Sequence, residues 1–270
     1  IRDCFVPSKG FVFVACDYDA AELRTLAQCH YSMTGNESPL LSMYKKDSGF
    51  DPHTWFACKM LNISYEEGMT RKSQGDKEIK KQRQRAKACN FGFPGGMGAS
   101  SFMAYAKGYG VTLTKDEAQD LKNQWFDAWQ LWDWLDHAQN AQEEGFVIIP
   151  QSHRKRGRVS FTQACNTPFQ GLASDGAKDA LFNVALECFA DSDSPLYNSR
   201  PVVFIHDEII IESPENNAQA AARRLQQIMI ASMRSFCPDT PIEASPTLMR
   251  SWSKNAESKL DANGNFTIWE

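Results

Sequence analysis

The chain has 270 residues, of which 42% are hydrophobic and 23% charged, and its formal net charge is -4. This composition is typical of a folded globular protein and excludes collagen-like, low-complexity and disordered chains. No apolar run approaches the roughly 18 residues that span a bilayer, so no membrane partner is expected. Because the net charge is negative, any nucleic acid partner would have to be bound by local basic patches.

The cysteines and the first residues indicate the setting of the protein. The eight cysteines are scattered and include no C-x-x-C pair, which argues against a zinc site. Buried thiols in a cytoplasmic or otherwise intracellular, reduced protein that is not secreted are therefore expected. The chain opens on Ile1-Arg2-Asp3-Cys4-Phe5, which is neither an initiator Met nor a signal peptide, so it is predicted to start inside a longer polypeptide.

The first predicted elements are a buried strand and two helices. Phe11–Cys16 is a continuous apolar run typical of a buried strand, and Asp17 follows it directly. A helical pattern covers residues 20–32. After a polar stretch, Asp51 and Pro52 predict a helix start, with Asp51 as N-cap and Pro52 at the first helical position.

The later elements are mostly helical. Residues 76–92 predict a basic amphipathic helix that stops at Pro94-Gly95-Gly96. Residues 114–143 predict one long helix whose four tryptophans pack in the core rather than stack on bases. Four more elements are predicted: a helix over Phe169–Phe189, a strand hairpin from Val202–Ile205 and Ile209–Ile211, a helix over 215–236, and an extended segment at Ile242-Glu243-Ala244.

Two aspartates beside predicted strands are candidate metal ligands. Asp17 follows the apolar run FVFVAC, and Asp207 lies inside VVFIHDEIIIE. Magnesium prefers a few carboxylate oxygens together with substrate phosphates, so two aspartates on neighbouring strands would suit phosphoryl transfer. Taken singly, each aspartate is more simply interpreted as a solvated turn residue.

One face of the basic helix is a candidate triphosphate receptor. Arg83, Lys87 and Phe91 recur every four residues and so share a face, with Lys80 beside them. Two cations and an aromatic ring could receive a triphosphate with a sugar above it. The alternative is a solvated charged face that Phe91 docks onto the fold.

A third candidate is the basic segment Gln151–Arg158, which contains Arg154 and Arg156. In an acidic protein such a cluster is a candidate contact for a nucleic acid backbone. A soluble surface loop explains it equally well.

These segments together resemble the motifs of the family A (DNA polymerase I-like) DNA polymerases. The stretch Asp17–Arg24 is similar to the family's D-Y-S-x-x-E-L-R, and Arg83–Gly92 is similar to R-x-x-x-K-x-x-x-F-G. His206-Asp207-Glu208 resembles the third motif. Asp51–Thr54 resembles D-x-H-T, and Asn166–Gly171 resembles N-x-P-x-Q-G. The resemblance covers the chain from Ile1 to about Glu243, with five motifs in the family's order.

The resemblance implies a role for each matching residue. Asp17 and Asp207 would bind two Mg²⁺ ions, with Mn²⁺ as an alternative, helped by the Tyr18 carbonyl, and Glu208 would support them. Arg83 and Lys87 would hold the dNTP phosphates, with Lys87 also giving a proton to pyrophosphate. Phe91 would lie against the deoxyribose, and Glu22 would exclude a 2′-hydroxyl. Contacts to the DNA primer-template would come from His206, Asn166, Gln170, Arg154 and Arg156, and Arg24 would support the site structurally.

The resemblance also implies the fold and the partners. It predicts an α+β fold in which a polymerase palm carries a small antiparallel sheet and a helical fingers subdomain is inserted. Residues 1–34 would be palm with the first metal-binding motif, 35–160 fingers, and 161–270 palm with the second motif and the C-terminal helix. The implied function is template-directed DNA synthesis from dNTPs on a primer-template. A preceding thumb and exonuclease segment, or a separate polypeptide, would complete the enzyme.

Two positions depart from the family pattern. Gly95, preceded by Pro94, stands where the family has Tyr, so the helix should end a turn early, and Phe102 or Tyr105 are the aromatic residues that could substitute. Asp19 replaces the family's Ser. It either adjusts metal affinity or points away from Asp17, and the second interpretation is favoured.

Three other functions compete with DNA synthesis. A single-subunit RNA polymerase shares the chemistry, but Glu22 as a sugar gate argues against it. A catalytically silent DNA-binding or scaffold subunit of a replication complex would keep the fold without extending primers. A two-metal nuclease would not need the face formed by Arg83, Lys87 and Phe91.

Overall fold

A computed structural model describes all 270 residues, and their contacts divide the chain into two compact units. Unit 1 comprises Ile1–Ala21 and Ala173–Glu270, and unit 2 comprises Glu22–Leu172. The predicted palm and fingers boundaries name functional subdomains, and they stay predictions. No helix is both long enough and apolar enough to cross a bilayer.

The ten helices, in chain order, are α1 (Ala21–Thr34), α2 (Pro39–Lys46), α3 (Pro52–Leu61), α4 (Tyr65–Ser73), α5 (Lys77–Gly92), α6 (Ala99–Ala106), α7 (Lys115–Trp129), α8 (Trp132–Glu144), α9 (Phe161–Phe189) and α10 (Ala218–Phe236). The seven strands are β1 (Phe11–Tyr18), β2 (Phe146–Ile148), β3 (Lys155–Gly157), β4 (Arg200–Ile205), β5 (Glu208–Pro214), β6 (Ala244–Met249) and β7 (Ile268–Trp269).

Unit 1 is built on a five-stranded sheet in the order β4-β5-β1-β6-β7. Every pair is antiparallel except β6 with β7, so the sheet is mixed rather than purely antiparallel. The α+β fold class is confirmed. The predicted strand at Phe11–Cys16, the hairpin and the last long helix are all present.

The central strand β1 is buried on both faces, which explains its unbroken apolar run. Its Phe13 and Ala15 pack with Ile210, Met249 and Trp252 on one face of the sheet. On the other face α10 covers the sheet. This packing fixes the end of β1, where the first candidate aspartate lies.

Unit 2 is mainly helical and carries a small hairpin formed by β2 and β3. Trp125, Trp129 and Trp134 are buried as predicted, whereas Trp132 is 42% exposed and is the exception. The prediction of one helix over 114–143 was wrong. The chain adopts a left-handed conformation at Gln130, φ +53°, which ends α7 and lets α8 begin at Trp132.

Other differences also lie in unit 2. The polar stretch before Asp51 contains α2, and α4 follows α3; serine N-caps, Ser38 and Ser64, start these short helices. The long helix α9 begins at Phe161, eight residues before the predicted start, and continues through Pro168. The predicted cap at Asp51 is confirmed, since its side chain accepts from the amides of His53 and Thr54.

Candidate active site

Unit 1 carries a candidate site in the form of a group of carboxylates at one end of its sheet. Asp17 is the last but one residue of β1 and lies opposite Glu208 in the pairing with β5. Asp207 occupies the turn between β4 and β5, next to His206, which has a φ of +56°. The two carboxylates are close enough that the charge of Asp207 acts directly on Asp17. Two strongly predicted strands therefore bring the two candidate metal ligands together.

The carboxylates of this group oppose one another's ionisation. Partial burial raises the pKa of Asp17 to about 7, and the negative charges of Asp207, Glu208 and Asp19 contribute to this shift. The side chain nevertheless keeps contact with water, which screens part of this repulsion. Burial also raises the pKa of Glu208, with Asp207 adding to the effect and Arg2 opposing it. A bound cation would reverse each of these effects.

The residues present fit divalent cations of the hard, oxygen-binding kind. No group of three or more His, Cys, Asp or Glu side chains is arranged as a self-sufficient metal site. Two aspartates with an adjacent main-chain carbonyl are instead a partial ligand set, which suits ions that also take oxygens from substrate phosphates and water. This is the donor set that Asp17, Asp207 and Tyr18 provide.

The two residues that follow Asp17 each make a hydrogen bond to another element of unit 1. The hydroxyl of Tyr18 donates to the Met229 carbonyl of α10 at 2.7 Å, so its side chain is engaged with that helix. Asp19 accepts hydrogen bonds from the Ser245 hydroxyl at 2.9 and 3.1 Å. This contact gives Asp19 a structural partner on β6, while its charge still contributes to the raised pKa of Asp17.

Unit 2 carries a candidate site of its own, a cationic face where two of the sequence motifs meet. Arg83 on α5 donates through Nε to Asp51 Oδ2 at 3.1 Å and to Thr54 Oγ1 at 3.2 Å. Lys72 contacts the same carboxylate oxygen at 2.8 Å. Both of these Arg83 hydrogen bonds use Nε, and neither Nη group makes one.

Asp51 is the anion that organises this face. Burial opposes its ionisation, but the Lys72 ammonium, Arg83 and the Thr54 hydroxyl and amide together hold its pKa well below the usual range. It therefore stays charged while it caps α3. A single carboxylate thus fixes both the start of α3 and the orientation of Arg83.

The Phe91 ring has a cation and an imidazole as neighbours. The Lys87 ammonium is 6.0 Å from the Phe91 ring centroid, and the His53 ring is 5.3 Å from it. His53 was not predicted as a site residue, although the D-x-H-T motif that contains it had been recognised. Burial lowers the pKa of His53 to about 4, with Arg83, Lys87 and Lys72 acting in the same direction and Asp51 against it. The imidazole is therefore neutral at pH 7.

Gly95 sits in a tightly packed turn where the family has Tyr. The helix α5 ends at Gly92, and a 3-10 turn covers Phe93–Gly95, which confirms the predicted early end. A Cβ at position 95 would lie 2.9 Å from the amide of Asn166, which also donates to the Gly95 carbonyl at 3.3 Å. A larger residue would have to displace Asn166.

The two aromatic substitutes differ in their surroundings. Phe102 is fully buried against Phe93, with ring centroids 4.1 Å apart, so it is not available to a ligand. Tyr105 is partly exposed, and its hydroxyl lies 3.0 Å from that of Tyr109. Burial and Tyr109 raise the pKa of Tyr105, and the negative charge of Glu22 adds to this. Tyr105 is therefore the one near Glu22, in the first turn of α1.

The predicted DNA contacts lie on separate elements. His206 and Gln170 are exposed, in the β4–β5 turn and on α9. The basic segment forms the exposed β2–β3 hairpin, in which Arg156 donates to the Thr167 hydroxyl at 3.0 Å. The guanidinium of Arg154 lies 3.5 Å from the Gly171 carbonyl. Arg24, predicted to support the site, is buried and donates to the Ser48 carbonyl at 2.6 Å.

Comparison with known families gives the same assignment as the motifs. The model of the family described as DNA polymerase family A matches residues 1–254. The chain belongs to DNA polymerase family A. The resemblance stated from the motifs is thereby confirmed.

Individual family A relatives agree. DNA polymerase I of Aquifex aeolicus (strain VF5) is 29% identical over 262 residues, which cover 94% of this chain and 42% of that protein. DNA polymerase I of Geobacillus stearothermophilus is 28% identical over 244 residues, covering 85% of this chain and 25% of that protein. The chain therefore spans less than half the length of these relatives.

A solved structure shows the same fold. The POL domain of Pol1 from M. smegmatis, in complex with DNA primer-template and dNTP, matches with a TM-score of 0.70 and 25% sequence identity. The match covers 93% of this chain and 42% of that chain. The predicted polymerase-type α+β fold is confirmed by this likeness.

Proposed function

We propose that the chain carries the nucleotidyl-transfer residues of a DNA-directed DNA polymerase. The observation that carries the proposal is the placement of Asp17 opposite Glu208 at the end of the sheet, with Asp207 in the adjoining turn, so that these carboxylates raise the pKa of Asp17. A group of this kind is stabilised by divalent cations, and phosphoryl transfer uses such cations with substrate phosphates. Family membership supplies the reaction class.

The proposed reaction is attack of the primer 3′-hydroxyl oxygen on the α-phosphorus of a dNTP, with pyrophosphate leaving. Bound Mg²⁺, or Mn²⁺ in its place, supplies Lewis-acid chemistry that lowers the pKa of the hydroxyl and neutralises phosphate charge. Asp17, Asp207 and the Tyr18 carbonyl would hold two such ions, and Glu208 would support the group. These side chains contribute by position and charge rather than by covalent chemistry.

The residues of unit 2 would bind the nucleotide. Arg83, with both Nη groups available, and Lys87 would bind the phosphates, and Lys87 would protonate the leaving pyrophosphate. Phe91 would lie against the deoxyribose. His53, neutral and next to Phe91, would add an uncharged hydrogen-bond donor. Glu22 would exclude a 2′-hydroxyl.

The DNA would be bound by exposed polar and basic groups. His206, Asn166, Gln170, Arg154 and Arg156 would contact the primer-template, and only the two arginines bring positive charge to its backbone. A thumb and exonuclease segment, or a separate polypeptide, would supply the grip on the duplex. The relatives support this proposal because more than half of their length lies outside the matched region.

One observation favours a second function, a DNA-binding or scaffold subunit without activity. Gly95 replaces the family's Tyr, and Asn166 packs where that side chain would begin. Such a subunit would bind a primer-template and leave it unextended whatever the metal or nucleotide supplied.

The test is primer extension with each dNTP opposite each template base, repeated with NTPs, with and without the upstream portion supplied. Templated incorporation of dNTPs is expected, and Glu22→Ala should narrow the preference for dNTPs over NTPs without abolishing synthesis. Primer-template binding with no extension in any condition would support the scaffold and overturn the polymerase.

A further inference from the structure

Three buried side chains from three helices of unit 2 form one hydrogen-bonded chain. The indole Nε1 of Trp125 on α7 donates to Asn90 Oδ1 on α5 at 2.7 Å. The Asn90 Nδ2 lies 2.8 Å from His53 Nδ1 on α3. Trp125 is 0%, Asn90 1% and His53 9% exposed. The chain ends beside Phe91, at the cationic face.

The indole N–H of Trp125 sets the direction of both hydrogen bonds in this series. An indole N–H can only donate, so the Asn90 atom that meets it must be the carbonyl oxygen. The other end of the Asn90 amide is then its NH₂ group, which can only donate. The His53 Nδ1 atom that receives it must therefore carry no proton.

A second observation fixes where the imidazole proton lies. Burial lowers the pKa of His53 and outweighs the opposing charge of Asp51, and the cations Arg83, Lys87 and Lys72 lower it further, so the ring is neutral. A neutral imidazole without a proton on Nδ1 carries it on Nε2. The His53 Nε2 atom makes no hydrogen bond within the protein. It is not a buried atom without a partner, so it is open to solvent.

We propose that Trp125 is a positioning residue that, through Asn90, holds His53 in the Nε2–H tautomer and so gives the cationic face an uncharged donor. The phosphate-binding part rests on the proposed function, whereas the tautomer follows from the hydrogen bonds alone. Without the indole N–H, the Asn90 amide could turn over and present its oxygen to His53. Nδ1 would then take the proton, and Nε2 would become an acceptor that repels phosphate oxygens.

The same helix offers a matched control for the indole N–H. Trp129 on α7 is also 0% exposed, but its Nε1 has no hydrogen-bond partner. Trp129→Phe therefore removes an equally buried indole from the same helix and leaves the hydrogen bonds from Trp125 through Asn90 to His53 in place. An effect of Trp125→Phe that Trp129→Phe does not share must come from the hydrogen bond rather than from lost aromatic volume.

The test is the imidazole ¹⁵N NMR spectrum of His53, which distinguishes protonated from unprotonated ring nitrogens. Wild type and Trp129→Phe should show the proton on Nε2. Trp125→Phe should show a mixture of tautomers, and Asn90→Asp, whose carboxylate can only accept, should move the proton to Nδ1. A proton on Nδ1 in the wild type, or no change in Asn90→Asp, would overturn the proposal.

Kinetics add an independent measurement on the functional part. Trp125→Phe should raise the KM for dNTP by about threefold to tenfold, with kcat nearly unchanged, because a neutral donor to the phosphates is lost in part of the population. Trp129→Phe should leave KM as in the wild type. An unchanged KM in Trp125→Phe, in an enzyme that extends primers, would overturn the positioning role.

The two measurements separate the two proposals. If the wild type shows the Nε2–H tautomer yet extends no primer, the proposed function fails and the tautomer assignment stands. If it extends primers with the proton on Nδ1, the tautomer assignment fails and the function stands. If Trp125→Phe does not fold, the wild type and Asn90→Asp spectra still decide the tautomer.

Discussion

The candidate site of unit 1 is a cluster of carboxylates, whereas that of unit 2 is a cluster of cations. The two clusters differ in whether the protein itself supplies a counter-ion. In unit 1 burial and the charge of Asp207 raise the pKa of Asp17 and of Glu208, so the group favours the binding of a cation. In unit 2 the cations Arg83 and Lys72 contact a carboxylate of their own chain, Asp51, which stays ionised. A group of like charges with no counter-ion in the protein indicates a ligand of opposite sign. Cations that are paired with a carboxylate of the protein are instead held in a fixed orientation before any ligand binds.

The largest effect should follow from removing a carboxylate of unit 1. Asp17→Ala should lower the rate of single-nucleotide primer extension by about a thousandfold or more, because the charge that holds the cations is lost. Asp193→Ala removes an exposed carboxylate of the same unit outside this group and should extend at the wild-type rate. An equal loss of extension rate in Asp17→Ala and Asp193→Ala would show that the carboxylate group has no special role.

A smaller effect is expected from the cations of unit 2. Arg83→Ala and Lys87→Ala should each lower kcat/KM for dNTP by about tenfold to a hundredfold, since each removes a charge-assisted hydrogen bond to phosphate. Lys81→Ala, an exposed lysine on the opposite side of α5, is the control and should have little effect. Steady-state kinetics with one templated dNTP measures this, and a comparable loss in Lys81→Ala would indicate general electrostatic attraction instead.

The free energy of unfolding should depend on pH through His53, which lies at the cationic face of unit 2. Its folded pKa, about 4, lies below the ordinary 6.5. Between these values the unfolded chain binds the proton more readily, so stability falls as pH decreases from about 6.5 to 4. The expected contribution is on the order of 2 kcal/mol. Chemical denaturation of the wild type and His53→Gln across this range should show a shallower decline in the variant, and parallel curves would contradict the assignment.

The carboxylate group should show the opposite dependence when metal is removed. The folded pKa of Asp17, about 7, lies above the ordinary 3.8. The folded state then binds the extra proton, so stability falls as pH rises through this window. In the presence of a chelator, Asp17→Asn should melt at a higher temperature than the wild type at pH 8, with a smaller difference at pH 5. A lower melting temperature at pH 8 would contradict the repulsion.

The elements that carry the site could be predicted because their signals are local. The apolar run of β1, the cap at Asp51 and the four-residue spacing of Arg83, Lys87 and Phe91 each lie within a short segment. They were found where expected. The family motifs added the order in which these segments occur.

What the sequence did not predict depends on contacts between distant residues or on single backbone conformations. The left-handed Gln130 that divides α7 from α8 carries no composition signal, because Gln is not a typical residue for that conformation. The chain from Trp125 to His53 joins residues on three helices. The packing of Asn166 against Gly95 likewise exists only in the folded protein.

The central claim is that the carboxylates of unit 1 bind the divalent cations of nucleotidyl transfer. Mn²⁺ binding to the protein with primer-template and dNTP, followed by electron paramagnetic resonance, tests it most directly. Wild type and Asp193→Ala should bind Mn²⁺ equally, and Asp207→Ala should bind it at least about tenfold more weakly. Equal Mn²⁺ affinity in the wild type and Asp207→Ala would contradict the claim.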